Sequence, residues 1–171
     1  RNVAIIGGLA DGGGGISVSG SDACADNGLL LPALSSTTHA KLVELIGEVG
    51  SILGNPVDIS PAQFRGLETA YAAIEAVAAD TSIDVLIVQM DMDILASYLG
   101  PTEGLEIAHY LTTLPSKHNT RLIVVLPNGS AEQDREAARQ VLASADIPVF
   151  PTAGNAARAL SVVSGGASPG A

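Results

Sequence analysis

The chain has 171 residues, of which 47% are apolar and 3% aromatic, and its 18 acidic and 8 basic side chains give a formal net charge of −10. This length fits one domain whose core is built from small aliphatic side chains. The acidic balance excludes nucleic acid and anionic membrane surfaces as expected partners, because both are themselves negatively charged.

Segments typical of strands alternate with segments typical of helices. In chain order the sequence predicts strand 3–6, helix 17–27, strand 29–32, helix 35–46, helix 60–79, strand 84–90, helix 105–114, strand 121–126, helix 131–145, strand 148–150 and helix 152–163. Such alternation is typical of right-handed βαβ units. We therefore predict an α/β fold: a three-layer, doubly wound parallel five-stranded sheet with the flavodoxin-like order 2-1-3-4-5. The domain spans residues 1–163, and residues 164–171 form a flexible tail.

Cys24 is the single cysteine, which excludes an intrachain disulfide and favours a reducing, cytoplasmic compartment. We find no signal peptide and no apolar run near the length of a membrane span. The chain begins at Arg1 and enters a strand almost at once, which is typical of a piece of a longer polypeptide.

A glycine-rich turn follows the first predicted strand and is the strongest local signal for function. Its residues, together with two hydroxyls in the helix that follows, are Gly12, Gly13, Gly14, Gly15, Ser17 and Ser19. Consecutive glycines let backbone N–H groups approach a ligand closely, and a helix start adds free N–H groups and partial positive charge. We predict that these residues bind phosphate. The alternative is a mobile surface loop.

The turn matches neither of the common nucleotide-binding fingerprints. A G-x-G-x-x-G register would need glycine at position 17 or 18, where Ser17 and Val18 stand. The Gly-Lys-Ser/Thr element of a P-loop is also missing from the sequence. A dinucleotide-binding or P-loop role is therefore not expected.

The turn and three further groups of segments resemble, in order, the succinyl-CoA ligase-like domain of the NDP-forming acyl-CoA synthetases. The segments are Gly13-Gly14-Gly15, then Asp22-Ala23-Cys24 with Asn27-Gly28-Leu29, then Asn55-Pro56-Val57-Asp58, then Ile147-Pro148-Val149-Phe150 with Ala156-Ala157-Arg158-Ala159-Leu160. This superfamily includes ADP-forming acetyl-CoA synthetase and succinyl-CoA synthetase. The resemblance spans the whole chain and points to the second of the two flavodoxin-like domains of such enzymes.

The resemblance implies an acid–thiol ligase that works through a phosphohistidine. The glycine turn and the following helix start would form half of the seat for that group, with Asp22, Asn55 and Asp58 as supporting residues. Asp22 could be a carboxylate at the helix N-terminus or could orient the glycine loop. Asn55 and Asp58 could cap the helix that starts near residue 60 or tie the loop against the seat. The family's Ser-His-Thr-Gly-type segment is missing here, so we expect no catalytic residue in this chain and no ligation by it alone. The full enzyme would use ADP or ATP, phosphate and coenzyme A, and Mg²⁺ could serve it. The expected partners are CoA-binding, phosphohistidine and ATP-grasp domains or subunits.

Other titratable groups are given plainer interpretations. Asp91 and Asp93 follow a strand and could hold Mg²⁺, but such a pair also commonly caps a helix. His39 is interpreted as a polar helix-entry residue, His109 as half-buried and His118 as a solvated loop residue. The three histidines show no metal-ligand spacing, so no metal site is predicted. Cys24 is interpreted as buried and structural.

Two rival functions remain open from the sequence. One is a flavodoxin-like module that binds FMN or another anion, although Tyr98 is the only aromatic residue near a suitable loop. The other is a regulatory or assembly domain that keeps the fold and binds no ligand.

Overall fold

A five-stranded parallel sheet forms the centre of the molecule, in a computed structural model that describes residues 1–9, 14–47, 52–60, 65–100 and 102–163. The strands are β1 (Val3–Leu9), β2 (Val57–Asp58), β3 (Val85–Met90), β4 (Arg121–Val125) and β5 (Val149–Phe150). Their spatial order is β2-β1-β3-β4-β5, and every neighbouring pair is parallel. The predicted α/β fold and its 2-1-3-4-5 order are confirmed.

Helices cover both faces of this sheet. They are α1 (Gly14–Asp26), α2 (Ser36–Ile46), α3 (Leu67–Ala78), α4 (Met92–Tyr98), α5 (Glu103–His118), α6 (Glu132–Ser144) and α7 (Ala153–Val163). None of the described helices is long and apolar enough to cross a bilayer.

The alternation of side chains along each strand creates two separate cores. On β3, Leu86, Val88 and Met90 point into the larger core, which α2 to α6 cover. Val85 and Ile87 point into the smaller core, which α1 and α7 cover. Because both faces are buried, the central strands read as nearly continuous apolar runs, which is why the sequence predicted them well.

The prediction of a second strand at residues 29–32 is wrong. Leu30 makes a single bridge with Asn2 at the start of β1, and the strand beside the carboxyl half of β1 is Val57–Asp58. Two segments therefore share the edge of β1. The first one leaves the ladder after Leu31 because Pro32 has no N–H to donate.

Several helix boundaries also differ from the prediction. The helix predicted at 105–114 extends from Glu103 to His118 and contains Pro115, and the short helix α4 was not predicted. The predicted helix start at Ser60-Pro61 falls partly on residues 61–64, which lie outside the described residues, as does the predicted tail. Gly28 ends α1 with a φ of 70°, as expected for a glycine just past a helix.

Candidate functional site

The start of α1 lies at the carboxyl edge of the sheet, where the chain order changes direction. From β1 the chain passes to β2 on one side and then to β3 on the other. Ligands of doubly wound sheets bind in the crevice outside the carboxyl ends of the strands at such a point. The position predicted from the glycine turn is therefore the position that the topology favours.

The glycine turn is partly described. Gly12 and Gly13 lie outside the described residues, whereas Gly14 and Gly15 are the first two residues of α1. A Cβ built on Gly15 would meet no described atom within 4 Å, so the backbone there is open to approach. The first N–H groups of a helix have no intrahelical acceptor and carry partial positive charge. This end of α1 can therefore accept an anion.

Ser17 and Ser19 occupy different environments. Ser19 is exposed on the outer face of α1, whereas Ser17 is 0% exposed and faces the sheet. No hydrogen-bond partner exists for Ser17 Oγ among the residues that the structure describes. Ser17 is the fourth residue of α1, and its Cα–Cβ bond leans toward the helix N-terminus as in any α-helix.

Gln89 is a second buried polar group at the same place, and the sequence reasoning missed it. It is 3% exposed, and its Oε1 likewise lacks a partner within the described ranges. It continues the β3 face of Val85 and Ile87 toward the carboxyl edge, under α1. A Cβ on Gly20 would lie 3.3 Å from Gln89 Nε2, so α1 packs closely over this carboxamide. The available signal was one polar residue in an otherwise apolar strand.

The start of α7 also lies close to Gln89. The Cβ position on Gly20 is also 3.5 Å from the Cβ of Ala153, the first residue of α7. Thr152 precedes it and accepts a hydrogen bond from the Asn155 amide at 3.1 Å, as a helix cap does. The N-terminus of α7 therefore lies level with the second turn of α1, and both lie close to the Gln89 carboxamide.

The three predicted supporting residues do not all surround the helix start. Asp58 lies beside Gly8 at the end of β1 and accepts a hydrogen bond from the Ser60 amide at 2.9 Å. Asp22 is exposed in the third turn of α1, roughly 12 Å along the helix axis from Gly14. The expectation of Asp22 as a carboxylate at the helix N-terminus is therefore wrong.

Asn55 braces β1 below the site. Its Oδ1 accepts from the Ile5 amide at 3.1 Å, and its Nδ2 donates to the Val3 and Pro32 carbonyls at 2.7 and 3.0 Å. Asp58, by contrast, accepts a hydrogen bond from the Ser60 amide, next to residues 61–64 that lie outside the described ranges. Asn55 instead supplies the edge of β1 with bonds where two neighbouring segments leave a gap.

The comparison with protein families decides the family. The model of the Ligase-CoA domain matches residues 3–165. The chain belongs to this family. The predicted resemblance is thereby confirmed at the level of the domain. A comparison with curated protein sequences finds no significant relative.

Solved structures share the fold of this Ligase-CoA domain. PH0766 from Pyrococcus horikoshii OT3 is similar with a TM-score of 0.76 and 24% identity. The dinucleotide forming acetyl-coenzyme A synthetase 1 of Ca. Korarchaeum cryptofilum, solved in apo form and with phosphate and ADP, gives a TM-score of 0.72 and 19% identity in both structures. The matches cover 95% of this chain but 34% and 32% of those chains. The Ligase-CoA domain thus spans about a third of these neighbours.

Asp91 and Asp93 both accept hydrogen bonds from backbone amides in this Ligase-CoA domain. Asp91 Oδ1 accepts from the amides of Asp93 and Ile94 at the start of α4. Asp93 reaches the β4–α6 loop, where the Ser130 amide donates to it at 2.7 Å and the Ala131 amide at 2.5 Å. These hydrogen bonds, that of Ser130 above all, lower the pKa of the Asp93 carboxyl. The capping interpretation is confirmed for Asp91, whereas Asp93 joins α4 to the loop before α6.

The remaining titratable candidates lie away from the helix start. His39 and His109 are exposed, so the half-buried prediction for His109 is wrong. His118 ends α5 and contacts Glu75 Oε1 at 3.0 Å rather than lying in a solvated loop. Cys24 is buried as predicted, and burial raises the pKa of its thiol to about 11. The described part of the chain holds no group of three His, Cys, Asp or Glu side chains suited to a metal ion.

A cavity of about 1130 Å³ lies at the opposite, amino edge of the sheet. Its walls include Thr120 and Arg121 at the start of β4, Ile147 before β5 and Val163 at the end of α7. Because ligands of this fold bind at the carboxyl edge, the topology assigns this cavity no part in the candidate site.

Proposed function

We propose that this Ligase-CoA domain is the second flavodoxin-like domain of an ADP-forming acyl-CoA synthetase, and that the first turn of α1 seats a phosphoryl group. The observation that carries the proposal is the fully buried Ser17 hydroxyl at the end of the first turn of α1, for which the described residues offer no partner. The free N–H groups of the same helix start lie within that turn. The neighbour solved with phosphate and ADP supports a ligand of this class.

The seat works by holding charge rather than by forming bonds. Backbone N–H groups of Gly14 and Gly15, with Gly12 and Gly13 before them in the chain, and the helix dipole stabilise a phosphoryl group without a lysine. Such preorganised donors stabilise charge that develops during phosphoryl transfer. Ser17 adds a hydroxyl donor from the face of α1 that packs on the sheet. In this proposal the nucleophilic histidine belongs to another domain.

Partner domains complete the enzyme in this proposal. The CoA-binding, phosphohistidine and ATP-grasp domains would bind coenzyme A and ADP or ATP, with Mg²⁺ at the nucleotide, and work in the cytoplasm. The exposed apolar side chains of Ile16 and Val18 lie on α1 beside the seat. Exposed apolar groups beside a polar site are typical of surfaces that a partner covers, and this supports docking of the phosphohistidine domain there.

An assay of the assembled ligase tests the proposal. The chain is combined with CoA-binding, phosphohistidine and ATP-grasp domains, and ATP formation is followed from acetyl-CoA, ADP and phosphate. We expect ATP only when the chain is present, and none from the chain alone. Equal ATP formation by the other domains without this chain would overturn the proposal.

A further inference from the structure

Ser17 and Gln89 each hold a buried polar atom that the described chain leaves without a hydrogen bond. They are 0% and 3% exposed, so both side chains are buried. A buried polar group without a partner costs about 1–3 kcal/mol. Native proteins hold few such groups, and each one calls for an explanation.

The two groups share one interface. Gln89 Nε2 lies under Gly20, and Ser17 is three residues earlier on the same helix, roughly 4.5 Å along its axis. Ser17, Gly20 and Cys24 form the buried stripe of α1 that faces the sheet. Both polar groups thus lie between the first turns of α1 and the carboxyl end of β3.

The two unpartnered atoms differ in the hydrogen bonds they can make. A serine hydroxyl can donate one hydrogen bond and can also accept, whereas the carbonyl oxygen of a glutamine can only accept. A ligand that accepts from the serine and donates to the glutamine satisfies both. Hydrogen phosphate carries P–O⁻ acceptors and one P–OH donor on the same group. Sulfate has the same charge and shape at neutral pH but carries no proton.

We propose that Ser17 and Gln89 form a phosphate-specific pair, in which Ser17 Oγ donates to a phosphoryl oxygen and Gln89 Oε1 accepts the P–OH hydrogen of the same group. This inference rests on the proposed phosphoryl seat and adds its specificity. The free N–H groups of α1 bind either anion through charge, and Gln89 separates phosphate from sulfate. The same chemistry fits free phosphate and a singly protonated phosphoryl group on a histidine.

Calorimetric titration of the 171-residue chain with inorganic phosphate and with sulfate tests the pair. We expect the unsubstituted chain to prefer phosphate by roughly tenfold, the size of one hydrogen bond to a charged group. Ser17→Ala should weaken the binding of both anions. Gln89→Met should weaken the binding of phosphate and leave the binding of sulfate unchanged. Titration with a phosphohistidine peptide identifies the source: tighter binding than free phosphate, lost in Gln89→Met, supports delivery on a histidine.

Thermal melting without anion separates this role from a structural one. Ser17→Ala and Gln89→Met each remove an unpartnered group, so their melting temperatures should equal or exceed that of the unsubstituted chain by roughly 2–4 °C. Thr120→Val is the matched control, because the buried Thr120 hydroxyl donates to the Ala78 carbonyl at the opposite edge. It should melt lower and bind phosphate as before.

The outcomes that overturn the inference differ from those that overturn the proposed function. If phosphate and sulfate bind equally, or Gln89→Met keeps the preference for phosphate over sulfate, Gln89 Oε1 does not accept the P–OH hydrogen and the inference fails. A lower melting temperature for both Ser17→Ala and Gln89→Met would show that their polar atoms serve the fold. If the unsubstituted chain binds neither anion, the phosphoryl seat itself fails.

Discussion

Gly15, the second residue of α1, gives the most direct test of the seat at the scale of single residues. Its side-chain position is open, so a larger residue fits without a clash. Gly15→Asp places a carboxylate at a helix start, where it stabilises the helix by about 0.3–1 kcal/mol. The same carboxylate would occupy the anion seat and repel an incoming phosphate. We expect a chain at least as stable as the unsubstituted one, with no measurable phosphate binding by calorimetry.

Gly15→Asn is the matched control for this substitution. It has the shape of Asp without the charge, and Asn is equally well accepted near a helix start. Phosphate binding should therefore persist. Loss of binding in both variants would point to shape rather than charge, and undiminished binding in Gly15→Asp would place the anion elsewhere.

Asn55 carries a structural prediction at the same scale. Asn55→Ala leaves the Ile5 amide and the Val3 and Pro32 carbonyls without the bonds that Asn55 now makes. We expect a loss of about 2–4 kcal/mol in the free energy of unfolding, measured by urea denaturation. Asn27→Ala, which removes one bond to the Ala23 carbonyl, should cost less. Equal losses would contradict the bracing role.

Sequence reasoning found the residues whose chemistry is local and missed those whose role depends on the tertiary fold. The glycines before α1, Cys24 and the capping role of Asp91 follow from short-range patterns. Gln89 becomes noticeable only once α1 packs over β3 and leaves its Oε1 without a described partner. The prediction that Asp22 lies at the helix N-terminus was wrong for a related reason. Helix α1 begins at Gly14 rather than at position 17, which moves Asp22 into the third turn.

At the scale of elements, strand prediction depended on burial rather than on strand length. The central strands β3 and β4 are buried on both faces and were read correctly from apolar runs. The apolar run at 29–32 was equally strong, yet the two-residue strand Val57–Asp58 takes the edge position. The contacts that decide between them, such as Asn55 to Pro32, join distant parts of the chain and leave no periodic signal.

The loops at the amino edge carry a prediction for pH. Asp80 is 4% exposed and accepts hydrogen bonds from the Ser35 amide before α2 and from the Ser82 amide before β3. Burial opposes ionisation of Asp80, but these bonds outweigh it and lower the pKa of the carboxyl below its ordinary 3.8. The unfolded chain therefore binds a proton here at higher pH than the folded chain. The stability that Asp80 contributes is complete above pH about 4 and is lost as the pH falls further.

Asp80→Asn tests this element-level link. The variant should melt lower at neutral pH, because an amide cannot accept as the carboxylate does at both oxygens. Its melting temperature should also fall less steeply between pH about 4 and 2. Asp26→Asn at the exposed end of α1 is the control and should keep the acid dependence of the unsubstituted chain. A profile for Asp80→Asn parallel to that of the unsubstituted chain would contradict the assignment.

At the scale of the whole molecule, the composition and the fold agree on how an anion can bind. A chain with net charge −10 and 8 basic residues has few cations to offer a phosphate. The doubly wound sheet supplies helix starts at its carboxyl edge instead, and the glycines open one of them. The domain spans about a third of its structural neighbours. In the proposed function, the chemistry of ligation belongs to an assembly larger than this chain.

Amide NMR titration of the 171-residue chain with inorganic phosphate shows whether the start of α1 binds a phosphoryl group. We expect saturable shifts confined to residues 12–21 and the neighbouring ends of β1, β3 and α7, with Thr120 and the rest of the amino edge unchanged. The absence of a saturable shift would rule out the phosphoryl seat and favour a domain that keeps the fold without a ligand. Shifts centred on the amino-edge cavity would contradict the placement of the site.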